Sequence, residues 1–203
     1  MELHGPERPR VFRMLMIMKP DTKDIHRVPM KRVVPVAPAD NVASLLAGMA
    51  ETGFQGRKLG ESVGVWREML ADPDCTILFG LSGAMIPAGM QRCLIEMVKR
   101  HYVDAIVSTG ANIFHDTCEH LGACHYLGHH QVDDKALYER GIDRIYDVFA
   151  FEEDFRTVDR GIATWSASIA PFRGSSREFI RRLGEWLCTE KPGAESLTSV
   201  CAQ

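Results

Sequence analysis

Cys-Thr-Ile-Leu-Phe-Gly-Leu-Ser-Gly-Ala-Met-Ile-Pro-Ala-Gly at residues 75–89 and Val-Asp-Ala-Ile-Val-Ser-Thr-Gly-Ala-Asn at residues 103–112 are the stretches on which the fold turns. Each starts as a short apolar run of strand length, passes into a loop of small residues and leads into a helical pattern. The first unit places a strand at 75–79, a loop at 80–89 and a helix to His101; the second places a strand at 103–108, a loop at 109–112 and a helix over 113–121. Parallel strands need a crossover, usually a helix, so two such units in succession predict an α/β fold built on a parallel sheet. The loops at the carboxyl ends of its strands then share one crevice, where open α/β folds hold nucleotides.

The 203 residues are 45% hydrophobic and carry a net charge of −3, which suits one α/β domain of ordinary size and leaves no room for a second full one. No basic stripe interleaved with aromatics appears, so the electrostatic footprint of nucleic-acid binding is missing. Cysteines at 75, 93, 118, 124, 188 and 201 form no CxxC pair. That usage fits reduced thiols better than a disulfide framework, and a cytoplasmic location is expected. The apolar run at 11–18 contains Arg13 and is too short to cross a bilayer. No small-residue cleavage site follows it, so no secretory signal is expected.

Residues 1–39 hold six of the ten prolines and are expected to form an irregular arm with one short strand at 31–36. The main α/β region is placed at 40–187. Asp40 is positioned to cap a helix with Val42, Leu45, Leu46 and Met49 on its apolar face, ending at Gly53. A second amphipathic helix is expected over 60–71, and in the helix after the first loop Met90, Leu94, Met97, Val98 and His101 share one face. Further on, Asp133 caps a short helix ending at Gly141, residues 142–149 read as one strand, and 152–167 as a helix. Ser175 and Glu178 form a capping box for a helix to Leu187. Residues 188–203 are expected to be a polar tail.

A backbone can approach a pyrophosphate or ribose only where side chains are small, and the first loop supplies Gly80, Ser82, Gly83, Ala84, Ala88 and Gly89. The second supplies Ser108, Thr109, Gly110, Ala111 and Asn112. Neither GxGxxG nor the P-loop pattern is present. On the residues alone two readings stay open: a nucleotide site, or small side chains that merely let helices pack close to strand ends. A second cluster gathers His115, Asp116, Cys118, Glu119, His120, Cys124, His125, His129, His130, Asp133 and Asp134. His115 and Glu119 stand one helical turn apart, as a pair of metal ligands would, yet the spacing fits neither HExxH nor HxxEH. No metal site is assigned, and a metal-dependent hydrolase is the disfavoured class. In the plainer reading, His115 and Asp116 serve a helix start and a substrate contact, while His129 and His130 lie at the surface.

Residues 79–89 and 103–116, continued by Tyr126-Leu-Gly128, Val132-Asp-Asp134, residues 141–149, Ser175-Ser-Arg-Glu-Phe179 and, upstream, Thr52-Gly-Phe-Gln55, resemble the deoxyhypusine synthase family. The likeness runs from about Asp40 to Leu187, and Ser-Thr-Gly-Ala-Asn followed by His-Asp is similar to the bacterial, deoxyhypusine synthase-like branch. The resemblance implies a Rossmann-like parallel sheet flanked by helices, incomplete here, that binds NAD and spermidine for hypusine biosynthesis. In that family a hydride leaves the polyamine for NAD, the butylimine is held on an enzyme lysine, and the group passes to a lysine of a translation factor. The family's cofactor loops fall on Gly83, Ala84, Met85, Ile86 and Pro87, and on Thr109, Gly110 and Ala111. The acidic pair that follows in the eukaryotic enzyme corresponds to Phe114 and His115, which implies His115 beside cofactor and substrate and Phe114 beside substrate. Loss of two carboxylates near a polycation admits a different polyamine or a free amine as acceptor.

Family members also carry a second half with the catalytic lysine near its end, and nothing here matches it. Lys191 lies in the expected polar tail, and Lys58, Lys99 and Lys135 lie on expected solvent faces. An exposed lysine titrates at roughly 10.4 and forms imines poorly at neutral pH, so no catalytic residue is assigned. The expectation is therefore the amino-terminal part of an NAD-dependent aminobutyl transferase, truncated before its lysine and, as the resemblance implies, a homotetramer. The alternative is an inactive NAD-binding or regulatory subunit associated with a full-length paralogue.

Overall fold

The computed structural model describes residues 30–203. The chain divides into two units, one ending at Thr76 and one over Ile77–Gln203. The run at 11–18 lies outside the described residues, as does most of the expected arm.

In the first unit, helices α1 (Val42–Met49) and α2 (Phe54–Ala71) pack on each other. The cap of α1 is Asn41 rather than Asp40: its side-chain oxygen accepts from the Ser44 N–H at 2.9 Å. Both residue types cap well, so the sequence could not choose between neighbours. Helix α2 begins at Phe54 instead of Gly60. Gly60 is not the helix start but a point of close approach, since a Cβ there would lie 2.3 Å from the Ala50 nitrogen and 2.6 Å from the Leu46 carbonyl oxygen. The strand expected at 31–36 does not form. Pro35 has no N–H to offer a ladder, and the segment is tied instead by a bond from the Val34 N–H to the Glu51 carbonyl at 3.0 Å and by the Lys31–Glu51 ion pair.

In the second unit, β1 (Leu78–Leu81) and β2 (Ala105–Ser108) pair in parallel, in register from Leu78 opposite Ala105 to Leu81 opposite Ser108. Crossover helix α3 (Gln91–Lys99) joins them and α4 (Gly110–Leu121) follows β2, as two strand–loop–helix units require. Leu81, Ile86, Leu94, Ile95 and Leu197 form the core, with Phe79, Met97, Val98, Ile106 and Val200 packed against it. His101 does not join that face. Beyond α3 it takes φ +53, with its N–H bonded to the Val98 carbonyl and the Tyr102 N–H to the Met97 carbonyl, both at 2.9 Å. This left-handed stop leaves the imidazole exposed.

The expected parallel sheet is present as the β1–β2 pair, and a second small sheet makes the fold mixed α/β. The second is antiparallel, with β3 (Tyr126–Leu127), β4 (Ile142–Ile145) and β5 (Val148–Phe151) in the order β3-β5-β4. Residues 142–149, read as one strand, are a hairpin whose turn holds Tyr146 at φ +58. Tyr-Asp is no hairpin signature, unlike Asn-Gly, so the turn was silent in the sequence. Helix α5 (Asp134–Tyr138) is capped by Asp133 as expected, and Asp134 takes a two-pronged bond from Arg144 of β4 at 2.6 and 2.8 Å. Helix α6 (Glu152–Ser168) follows, then α7 (Ser176–Glu190) with the expected Ser175–Glu178 capping box.

The stretch read as a polar tail is instead packed. It ends in α8 (Leu197–Cys201), and Ser196, Leu197, Thr198 and Ser199 are all buried. Its polarity misled because small hydroxyl residues suit close packing: a Cβ on Gly184 of α7 would lie 2.4 Å from the Thr198 carbonyl oxygen. Among the described residues no helix is long and apolar enough to cross a membrane.

Candidate functional site

The loop after β1 and the start of α4 are stitched together by two side chains. Asn112, 1% exposed, accepts from the Ile86 N–H at 3.3 Å and donates through its amide to the Leu81 carbonyl and the Thr109 hydroxyl, both at 3.4 Å. The Thr109 hydroxyl donates in turn to the Gly83 carbonyl at 3.3 Å. Each bond is long, but together they fix the loop against the helix entry. Ile86 and Pro87 are buried and anchor the loop from below, Ala84 is half-buried, and Gly83, Met85, Thr109, Gly110 and Ala111 stay exposed. A Cβ built on Gly83 or Gly110 would meet no atom within 4 Å, so open space borders the backbone at both. Helix α4 starts at Gly110 rather than at Ile113 and has no side-chain cap. Its first N–H groups therefore lack intrahelical partners beside this loop.

Asp116 has a role the sequence did not disclose. Its carboxylate is fully buried and accepts from the Gln91 amide at 2.8 Å, the Leu197 N–H at 2.9 Å and the Thr198 N–H at 2.7 Å. It thus bonds the first-turn amides of α8 from far along the chain, which rules out the expected substrate contact for this residue. No local pattern could have shown a cap with partners more than eighty positions away.

His115 and Phe114 point to a different neighbourhood from the two loops. The His115 ring nitrogen Nδ1 lies 3.0 Å from Nε2 of His125, and Nδ1 of His125 lies 2.8 Å from a Glu119 carboxylate oxygen. Phe155 of α6 packs edge-on against His115 with centroids 5.4 Å apart, and Phe114 packs edge-on against both His115 and Phe155. Burial, with a smaller contribution from His125, pushes the His115 imidazole down to about 4, against a weaker pull upward from Glu119. Nearby, Cys118 is buried and its thiol is pushed up to about 12, first by burial and then by Asp159 and Asp154, so it is an inert packing residue. All six cysteines are free. His129 and His130 stack on each other at the surface, and His130 stacks on Tyr146. Among the described residues no group of three or more His, Cys, Asp or Glu side chains is placed to hold a metal ion.

The depressed His115 value has a testable sign. A histidine neutral in the fold and ordinary when unfolded binds fewer protons folded than unfolded, so stability is full above about 6.5 and falls as pH drops toward about 4. Urea midpoints measured between those values are expected to decline, and the His115→Gln variant is expected to decline less steeply over the same window.

A family model described as deoxyhypusine synthase matches residues 44–203. The chain belongs to the deoxyhypusine synthase family. A "Probable deoxyhypusine synthase 2" of Methanosarcina mazei is 48% identical over 167 residues, covering 80% of this chain and 48% of the relative. A "Deoxyhypusine synthase-like protein" of Chlorobaculum parvum is 39% identical over 148 residues, covering 72% of this chain and 42% of the relative. Of these two relatives the Methanosarcina mazei protein is the more similar. The chain spans about half the length of the curated relatives it matches. A crystal structure of a putative deoxyhypusine synthase from Entamoeba histolytica shares the fold, with TM-score 0.55 at 17% identity over 80% of this chain and 55% of that one.

The deoxyhypusine synthase match extends past Leu187 to Gln203, in keeping with the packed α8. Lys31, Lys58, Lys99, Lys135 and Lys191 are exposed, and the first three are ion-paired with Glu51, Glu61 and Glu195.

Proposed function

We propose that this chain contributes the cofactor-binding part of an NAD-dependent aminobutyl transferase that takes spermidine or a related polyamine as donor and a protein lysine or free amine as acceptor. The observation that carries this reading is the pair of small-residue loops locked together by Asn112 and Thr109, with open space along the backbone at Gly83 and Gly110. Such a cradle suits NAD, whose pyrophosphate is favoured by free N–H groups at a helix start. When bound, NAD supplies reversible hydride acceptance.

The protein's own residues divide the work. Gly83, Ala84 and Met85 offer the near side of the cradle, and Ile86 and Pro87 fix its shape from beneath because both are buried. Thr109, Gly110 and Ala111 present the first turn of α4 to the opposite side. Phe114 and His115, displaced toward α6, lie on the polyamine side of the same helix. An imine-forming lysine must be desolvated to lose its proton, and the described lysines are all exposed. The catalytic lysine is therefore assigned to none of them.

The parallel pair supports association with further chain. Leu78 and Val107 are 54% and 69% exposed, on a face that parallel sheets ordinarily cover. A layer over this face, from the same polypeptide or another copy, completes the site in a cytoplasmic homo-oligomer. Incubation with NAD and isotope-labelled spermidine is expected to leave no label attached to the isolated 203-residue chain. Stable label on one of its described lysines would overturn the assignment.

A further inference from the structure

The hydrogen-bond order from Glu119 through His125 to His115 fixes where each proton sits. A carboxylate at 2.8 Å can only accept, so His125 carries its proton on Nδ1. With His125 neutral, its other nitrogen is an acceptor, so His125 Nε2 receives a bond from His115 at 3.0 Å, which places the His115 proton on Nδ1. Nε2 of His115 is left with a free lone pair. It has no hydrogen-bond partner among the described residues, and it is not one of the side-chain atoms sealed from solvent without a partner. His125 is 6% exposed and Glu119 26%, so solvent competes weakly for the chain of bonds. Phe155 and Phe114 wall the His115 ring with aromatic edges rather than charges.

We propose that Glu119, His125 and His115 form a proton relay that presents the lone pair of His115 Nε2 as a neutral base for the ammonium group of an amine substrate. The inference rests on the polyamine reading above. An ammonium carbon cannot release a hydride until the nitrogen has lost its proton, because the lone pair must drive the departure. In the relay step the amine N–H bond breaks and its proton bonds to His115 Nε2. The Nδ1 proton of His115 then moves to His125 Nε2, and the resulting imidazolium of His125 lies against the Glu119 carboxylate. Charge is conserved throughout: one positive charge passes from the amine to His125, where a negative charge awaits it. Glu119 and His125 are positioning residues; only His115 would touch the substrate.

Nitrogen-15 spectra of the histidine side chains in the full chain read the tautomers directly. At neutral pH the wild type is expected to show His115 and His125 both protonated on Nδ1. Glu119→Ala frees His125 to place its proton on Nε2, which forces His115 into the Nε2-protonated form and abolishes the free lone pair. Glu119→Gln keeps a carbonyl acceptor and is expected to retain the wild-type tautomers, a rescue that separates proton placement from packing. Saturating spermidine with NAD is expected to shift His115 Nε2 toward its protonated position. An Nε2-protonated His115 in the wild type, unchanged tautomers in Glu119→Ala, or a His115 signal unmoved by spermidine would each overturn the relay. Saturable NAD binding alongside any of these would leave the cofactor reading standing, so the two failures are distinguishable.

Discussion

Asp116→Ala is expected to leave the second unit unfolded or barely folded at room temperature. The substitution removes a fully buried carboxylate that receives the Gln91 amide and two backbone N–H groups of α8. The two α8 N–H groups would stay out of water with no acceptor and the half-buried Gln91 amide would lose its partner, at a cost of about 3–5 kcal/mol, comparable to much of the stability of a small domain. Asp116→Asn keeps the shape and one good acceptor but turns an amide toward donors, and is expected to cost about 1–3 kcal/mol. Denaturant titration followed by circular dichroism ranks wild type, Asn and Ala in that order. An Ala variant as stable as wild type would show that α8 is not held through this carboxylate.

Gly184→Val is expected to detach α8. The new Cβ would sit 2.4 Å from the Thr198 carbonyl oxygen and 2.7 Å from the Ala202 Cβ. A backbone carbonyl is among the obstructing atoms, so no side-chain rotation relieves the clash and the short helix must move away from α7. Overpacking of this kind costs about 3 kcal/mol. Loss of α8 also withdraws Leu197 and Val200 from the core. Limited proteolysis is expected to cut the variant after residue 190 much faster than wild type. Gly64→Ala makes a matched control: its Cβ meets nothing within 4 Å in the interior of α2, and it is expected to stabilise by about 0.5–1 kcal/mol. Equal proteolysis of Gly184→Val and wild type would contradict the close packing of α7 and α8.

What the sequence disclosed was local. The two strand–loop–helix units, the Asp133 cap and the Ser175–Glu178 box all depend on neighbours within a turn or two, and each appears in the structure. What it concealed depends on distant partners. Gly60 reads as a helix start until Ala50 is seen against it, and the tail reads as solvated until Asp116 and Gly184 are found beneath it. The antiparallel hairpin hid for a different reason, since its turn carries no glycine or asparagine at the bend. In the site, the small residues of both loops were legible, but the Asn112 stitch was not. His115 and Glu119 could be placed on one helix face; that His125 returns to bridge them needed the fold.

Isothermal titration of NAD into the folded 203-residue chain, with a chelator present to remove metal ions, is the most direct measurement. Saturable binding at one site per chain is predicted, with Asn112→Ala weakening it because the two loops are no longer held together. No heat of binding at millimolar NAD, from a chain shown to be folded, would contradict a cofactor cradle between residues 83–87 and 109–111.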